Sequence, residues 1–226
     1  RIAKEGIFSG LNNPAIRTIL STKYSDKFGF TQEEVDKLLA SYELSDKKER
    51  VKHWYDGYIF GNTNIYNPWS LLSYIDEDGK YDTYWANTSG NELVKNIIAN
   101  SNKEIKNELE LLLQGHILEN KKIDVNVILP DLDNDDLEPW SFLLFTGYLT
   151  AISHTTIDED YYYTLAIPNT EIIKLYRELI FQALSTNISF AKLKELMEAL
   201  IVGDKKTVEQ YLQEFIAKAC SSLDVA

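Results

Sequence analysis

The chain has 226 residues, 44% hydrophobic and 26% charged, and its 23 basic against 35 acidic residues give a net charge of −12. That length carries one large core or two small ones, and the acidic surplus opposes binding to phosphate backbones and to anionic lipid. The lone cysteine, Cys220, excludes an internal disulfide and a cysteine-based zinc site and fits a reducing compartment. No apolar run reaches the length of a membrane span and no secretory leader opens the chain, so a cytoplasmic protein with no membrane contact is expected. The chain opens on Arg1 and its one methionine is Met197, which reads as a portion of a longer protein.

The first elements are short helices. Thr31 and Glu34 make a capping box, and Val35, Leu38, Leu39 and Tyr42 then share one helical face. Ser45 is the expected cap of the next helix, whose apolar stripe is Val51, Trp54 and Tyr55; Asp56-Gly57 is a turn signal. An aromatic connector, Tyr58 to Gly61 and on to Tyr66, leads to Asn67-Pro68, a capping side chain followed by proline at the first helical position. Trp69, Leu72 and Tyr74 continue that helix.

The middle of the chain predicts one helix on Leu93, Val94, Ile97 and Ile98 and another on Ile105, Leu109, Leu112 and Leu113, stopped at Gly115. An extended piece over Ile123 to Leu129 precedes Pro130 and an acidic loop. Trp140, Leu143 and Leu144 mark a short helix ending at Gly147. Tyr148 to His154 and Tyr161 to Ile167 alternate like two strands joined by a turn over Thr155 to Asp160. Pro168 closes the second strand and Asn169 caps a helix carrying Ile172, Ile173, Tyr176 and Ile180. Two amphipathic tail helices follow: Leu193, Leu196, Met197, Leu200 and Ile201 line the first, and Val208, Tyr211, Leu212, Phe215 and Ile216 the second, with Gly203-Asp204 between them. Helix, hairpin, helix is a winged-helix-like order, but the wing tip, Asp158-Glu159-Asp160, is acidic where a DNA-gripping wing is basic.

Complete chemistry is missing from the sequence. There is no glycine-rich loop ending in Lys and Ser or Thr to cradle a phosphate, and no strand ending in an acidic pair for magnesium. Asp131, Asp133 and Asp135 open like a calcium loop, but Asp136 stands where glycine is needed and Phe142 where a bidentate glutamate is needed. His53, His116 and His154 share no ligand spacing. The longest basic cluster, Lys47-Lys48-Glu49-Arg50, reads as a solvated helix face. Ser9-Gly10 and Ser89-Gly90 lack the strand–turn–helix setting of a nucleophile elbow, and Cys220 reads as packing.

One segment is unusual. Trp54-Tyr55-Asp56-Gly57-Tyr58-x-Phe60-Gly61 followed by Tyr66-Asn67-Pro68-Trp69-Ser70 packs six aromatics, two glycines and a capped helix start into 17 residues. As plain structure it is a rigid turn that wedges two helices. As a site it presents Asp56 and a helix start, whose dipole favours an anion, to a ligand.

These residues resemble the hallmark of the predicted AAA-ATPase-like family of bacterial proteins, which typically join an ATPase domain to a C-terminal nuclease-like domain of the PD-(D/E)XK class. Arg1-Ile2-Ala3-Lys4-Glu5 and Ser9-Gly10-Leu11-Asn12-Asn13 resemble the stretch after the last ATPase-core strand. Trp140 to Leu149 resembles the later helix-to-hairpin segment, and Ile167-Pro168-Asn169 the helix start that follows it. The resemblance implies a mainly α fold with a small β component: residues 1–120 as the end of the ATPase core and a helical lid-like region, 121–186 as a winged-helix-like module with its hairpin, and 187–226 as a C-terminal helical pair. It implies ATP and magnesium as ligands of the intact protein and none for this portion alone. It also implies an ATPase core upstream and a nuclease-like domain downstream as partners, with the Walker and nuclease residues outside this sequence. Tyr55, Asp56, Gly57, Tyr58, Asn67 and Pro68 become the nucleotide-proximal candidates, no residue a catalytic or metal-binding one. The expected function is a nucleotide-responsive switch. The alternative is an interaction or homo-oligomerisation module that uses the hairpin and the tail helices; DNA binding ranks last because of the charge.

Overall fold

The computed structural model describes residues 17–87, 91, 94–95, 97, 101–124, 139–185 and 190–213. The opening family-like segment, the acidic loop after Pro130, Leu93, Ile98, Phe215, Ile216 and Cys220 lie outside them. The fold is mainly α with a small β component, as expected. The chain divides into two compact units, Arg1–Arg177 and Glu178–Ala226.

In the first unit, α1 (Gln32–Ser41) starts at the expected capping box: the Glu34 amide is turned to the Thr31 hydroxyl, and the Thr31 amide donates to Glu34 Oε2 at 2.8 Å. Val35 and Leu39 are buried, whereas Tyr42 is the exposed C-cap. The cap expected at Ser45 does not form. Ser45–Lys47 is a 3-10 turn that runs directly into α2 (Lys48–Tyr55), so no extended residue precedes the helix to turn a hydroxyl back onto it. Val51, Trp54 and Tyr55 are buried, as their spacing predicts.

The aromatic connector is a hairpin. β1 (Tyr58–Phe60) pairs antiparallel with β2 (Thr63–Ile65), and Gly61 at φ +54 supplies the tight turn. Three-residue arms are too short for alternation to announce them. An isolated bridge joins Phe30 to Tyr66. Asn67 then caps α3 (Pro68–Asp76) as expected, accepting from the Trp69 amide at 3.0 Å. The buried face is one step off the expected stripe: Ser70, Leu71, Tyr74 and Ile75 are inside, and Trp69 and Leu72 are exposed.

These elements close on one core of Val35, Leu39, Val51, Trp54, Tyr55, Tyr66, Leu71, Tyr74 and Ile75. Its rings meet at centroid distances of 4.9 Å for Tyr74–Tyr81 and 5.7 Å for Tyr55–Tyr74, in the range where aromatic pairs add to simple burial. The phenol groups need partners. Tyr55 donates to Asp82 O at 3.1 Å and accepts from the Asp82 amide at 3.2 Å, so both of its functions are used. Arg50 lies 4.3 Å over the Tyr81 ring and Lys174 4.2 Å over Trp54, closing the core rim with cation–π contacts.

Further along, α4 (Lys103–Leu113) is capped by Asn102 and ends before Gly115 at φ +89, with Leu109 and Leu112 buried. The strand that follows is β3 (Leu118–Lys122), earlier than the expected Ile123 to Leu129, of which residues 125–129 are not described. Its polar composition hides it from an apolar pattern, and it crosses the expected boundary at residue 120. α5 (Trp140–Phe145) is present as read.

β4 (Thr150–Ile157) and β5 (Asp160–Ala166) form the expected hairpin with longer arms, and the sheet order is β3-β5-β4, all antiparallel. The turn is only Asp158-Glu159. Both residues have positive φ, +49 and +70, the geometry of a two-residue turn that matches strand twist, so pairing runs on to the tip. α6 (Thr170–Ser185) begins at Asn169, whose Oδ1 accepts from the Ile172 amide at 3.1 Å. The division between units falls inside α6.

In the second unit, α7 (Phe190–Val202) and α8, over 205–213, are separated by Gly203-Asp204 as read. Asp204 accepts from the amides of Lys206 and Thr207 and so caps α8. Leu196 and Ala199 are buried, but Met197, Leu200 and Ile201 of the expected stripe are exposed.

One backbone contact fixes how the hairpin of β1 and β2 meets the start of α6. Gly57 sits at φ +108 and a β-carbon there would lie 2.0 Å from the Pro168 carbonyl oxygen. Gly57→Ala is expected to lower unfolding free energy by about 2–4 kcal/mol through strain and overlap. Gly203→Ala, at φ +77 with no neighbour within 4 Å, is expected to cost only about 1 kcal/mol. Urea denaturation of the two variants, read side by side, checks the difference.

Candidate functional site

The six residues singled out in the sequence divide between two places. Tyr55 belongs to the aromatic core. Asp56 is the C-cap of α2, with its amide donating to Lys52 O at 3.0 Å, and Gly57 turns the chain away from the helix. Tyr58, Asn67 and Pro68 line a cavity of about 190 Å³. Tyr55, Asp56 and Gly57 do not line it.

The cavity is assembled from segments far apart in sequence. β1 contributes Tyr58, Ile59 and Phe60, and the junction of β2 with α3 contributes Ile65 to Pro68. The turn leaving α5 supplies Leu144 to Gly147, with Leu149 and Thr150; Trp85, Ile19 and Phe28 complete the wall. Local chemistry places each part. Asn67 and Pro68 are held by the helix cap. The Ile59 amide donates to Thr150 Oγ1 at 3.0 Å, which fastens β1 to β4. Trp85 packs edge-on against Tyr148 at 5.0 Å, and Gly147, at φ +86, lets the chain pass beneath the indole.

Among the described residues the lining is mainly apolar and uncharged. Its polar side-chain groups belong to Asn67, Thr146, Thr150, Trp85, Tyr58 and Tyr66, and most are already engaged: Asn67 Oδ1 with the Trp69 amide, Thr146 with Phe142 O at 2.6 Å, Thr150 with Ile59, and the Tyr66 hydroxyl with Gln32 at 2.7 Å. The Tyr58 hydroxyl is buried with no hydrogen bond of normal geometry, beside the Asn169 amide, whose nitrogen is likewise unpaired. Burial drives its proton affinity far above the ordinary phenol range. Among the described residues none in the lining is basic, so they give a phosphate no counter-charge, and none is a His, Cys, Asp or Glu that could ligate a metal. Among the described residues no group of acidic, His and Cys side chains is arranged to hold a metal ion anywhere.

Two carboxylates are buried outside the lining. Glu171, fully buried, accepts from the Ser70 hydroxyl at 2.7 Å and from the Trp85 amide at 2.9 Å. Its carboxyl is pushed above the usual range by burial, an effect partly offset by donors from Trp85, Ser70 and the Tyr84 backbone. Through Glu171, α6 grips both α3 and the 3-10 turn Tyr84–Asn87 that carries the cavity wall. Sequence reasoning missed it, because a glutamate in the first turn of a helix reads as an ordinary partner of the helix dipole. Asp56 is also buried, and its Oδ1 has no hydrogen-bond partner. Desolvation raises its pKa, against a lowering by the Gly57 amide and by Lys52.

The comparisons with known proteins give sequence likeness without a family. No protein-family model matches the chain, and no solved structure matches it significantly. A protein from Azotobacter chroococcum mcd 1, named "Uncharacterized protein in vnfD 5'region", is 22% identical over 219 residues. That alignment covers 96% of this chain, whereas the chain spans 40% of that protein's length. Among the described residues no helix is long and apolar enough to cross a membrane.

Two stability outcomes follow from the carboxylates. Glu171→Ala leaves the Ser70 hydroxyl and the Trp85 amide without an acceptor and is expected to cost about 2–4 kcal/mol in denaturant unfolding. For Asp56 the folded state favours the protonated form, so in the wild type its penalty is absent below the unfolded pKa and grows as pH rises through the raised folded value. Asp56→Asn is therefore expected to stabilise the protein by about 1–2 kcal/mol at neutral pH, with the gain fading near and below pH 3.8, the ordinary value. Melting curves of variant and wild type across acidic and neutral pH check both sign and window.

Proposed function

We propose that this chain is the lid and winged-helix-like portion of a nucleotide-driven switch. In this reading an upstream ATPase core of the intact protein holds the triphosphate and magnesium, and the cavity receives the ring end of the ligand. The supporting observation is convergence. Tyr58 to Phe60 with Tyr66 to Pro68, and Leu144 to Gly147 with Leu149, lie in two of the segments that resemble the ATPase-like family, and both line one cavity.

The lining favours one end of a nucleotide over the other. Its described residues include no basic group to hold phosphates, but the aromatic residues Tyr58, Phe60, Tyr66 and Trp85 suit a planar heterocycle. The volume, about 190 Å³, is below the roughly 300–1,000 Å³ of a site for a whole drug-sized ligand. It suits a ring-sized group whose remainder is bound elsewhere. Filling it would press on β1 and Trp85, and Trp85 is tied to α6 through Glu171, so occupancy has a route into the packing of the helices. Asp56 does not line the cavity, which removes it from direct contact with the ring in this reading.

A second reading, a module that holds another polypeptide without nucleotide, is favoured by the exposed Met197, Leu200, Ile201 and Val202 of α7. Calorimetry with ATP on the full-length protein and on this chain separates the two. ATP binding by the full-length protein, weakened about tenfold by Ile59→Trp at the half-buried rim with an unchanged melting temperature, is the expected result. Affinity untouched by the filled cavity would sink the ring-binding reading. Full-length protein that binds no nucleotide would leave the interaction module standing.

A further inference from the structure

The three-stranded sheet has two outer strands that are guarded very differently. β3 carries Glu119, Lys121 and Lys122, is interrupted by Asn120 at φ +57, and shifts register against β5. Charges and bulges of this kind stop an edge from pairing with another chain. β4, Thr150-Ala-Ile-Ser-His-Thr-Thr-Ile157, has no acidic residue, no lysine or arginine and no proline. Its one irregularity lies between Ala151 and Ser153, where β1 is already fastened by Thr150; from Ser153 to Ile157 the ladder with β5 is continuous.

Residues 152–157 are all exposed, and among the described residues no hydrogen bond joins them to anything except β5. Among the described residues the outward amide and carbonyl groups of that stretch therefore form an unpaired row. Beside it, the rings of His154, Tyr161 and Tyr163 cluster on one face, with Tyr161 exposed.

We propose that β4 is a dimerisation edge, on which the Ile152–Ile157 strands of two copies pair antiparallel about a two-fold axis and join their sheets into one. The occupant follows from charge. Two copies each carrying −12 repel each other over most of their surface, and an isologous contact places each residue of the patch against the same patch. Self-pairing is favoured where that patch is neutral, and β4 is such a stretch. In that arrangement the Ile152–Ile157 stretch faces itself, so no like charges meet across the new ladder and each copy offers the other the same row of backbone donors and acceptors. The inference does not depend on the nucleotide reading.

The test is the mass of the chain by light scattering over a series from micromolar to hundreds of micromolar, with amide hydrogen exchange alongside. The expected result is a concentration-dependent dimer whose formation slows exchange within 153–157. The pair Ser153→Lys and Thr155→Lys, both at exposed positions, is expected to give a monomer with unchanged circular dichroism. Lys121→Ala on the opposite edge is expected to leave the dimer intact. A chain that stays monomeric throughout, or a dimer that survives the two lysines, overturns the proposal; the latter result would assign association to another surface.

Discussion

A carboxylate taken out of water costs several kcal/mol unless donors surround it, and the first unit is organised around one such group. Glu171 sits in the first turn of α6, where the helix end already favours a negative charge, and two segments of the chain bring donors to it. Ser70 comes from the buried face of α3, and the Trp85 amide from the 3-10 turn. None of the three elements can shift without leaving a buried polar group alone. The close approach of Gly57 to Pro168, just upstream of α6, adds a second fixed point on the same helix start. Together they hold β1 and α3 in register with α6, and the cavity is the space left between β1, the start of α3 and the turn after α5.

The aromatic residues fill that frame in two ways. In the core, hydroxyls are spent: Tyr55 on Asp82, Tyr66 on Gln32, Tyr74 on Tyr81. Toward α6, the Tyr58 and Tyr176 hydroxyls are buried without a hydrogen bond of normal geometry, Tyr58 beside the Asn169 amide. Each unpaired group costs about 1–3 kcal/mol, a burden the core does not carry. A frame built from strong fixed points can bear it.

Much of the fold was legible because short-range chemistry decides it. The capping box at Thr31, the Asn67-Pro68 start, the stops at Gly115 and Gly147 and the Asn169 cap all appear where spacing placed them. Elsewhere pattern and chemistry part. The short hairpin of β1 and β2 has no room for alternation, β3 is polar throughout, and Asp158-Glu159 adopt left-handed angles that glycine or asparagine would have advertised. The candidate site was half legible. Tyr58, Asn67 and Pro68 do meet at a cavity, but the other wall comes from the far end of α5, and Glu171, which ties it down, has no signature in the sequence. Asp56 drew notice as the acid of a conspicuous motif, and its isolation follows from the turn at Gly57, which sends the chain toward the cavity and leaves the carboxylate behind.

Net charge read over the whole chain also misleads about where it can make contact. A value of −12 opposes nucleic acid and self-association on average, yet contact is decided locally. The acidic tip of the β4–β5 hairpin is partly neutralised by the ion pair of Asp160 with Lys122 at 2.5 Å. Lys121 and Glu108 pair at 2.8 Å with both side chains largely covered. The sheet thus gathers its charges on the β3 side and leaves β4 bare. The dimer proposed above would use the outer strand of this sheet that carries no acidic residue, lysine or arginine, so that no like charges meet along the new ladder.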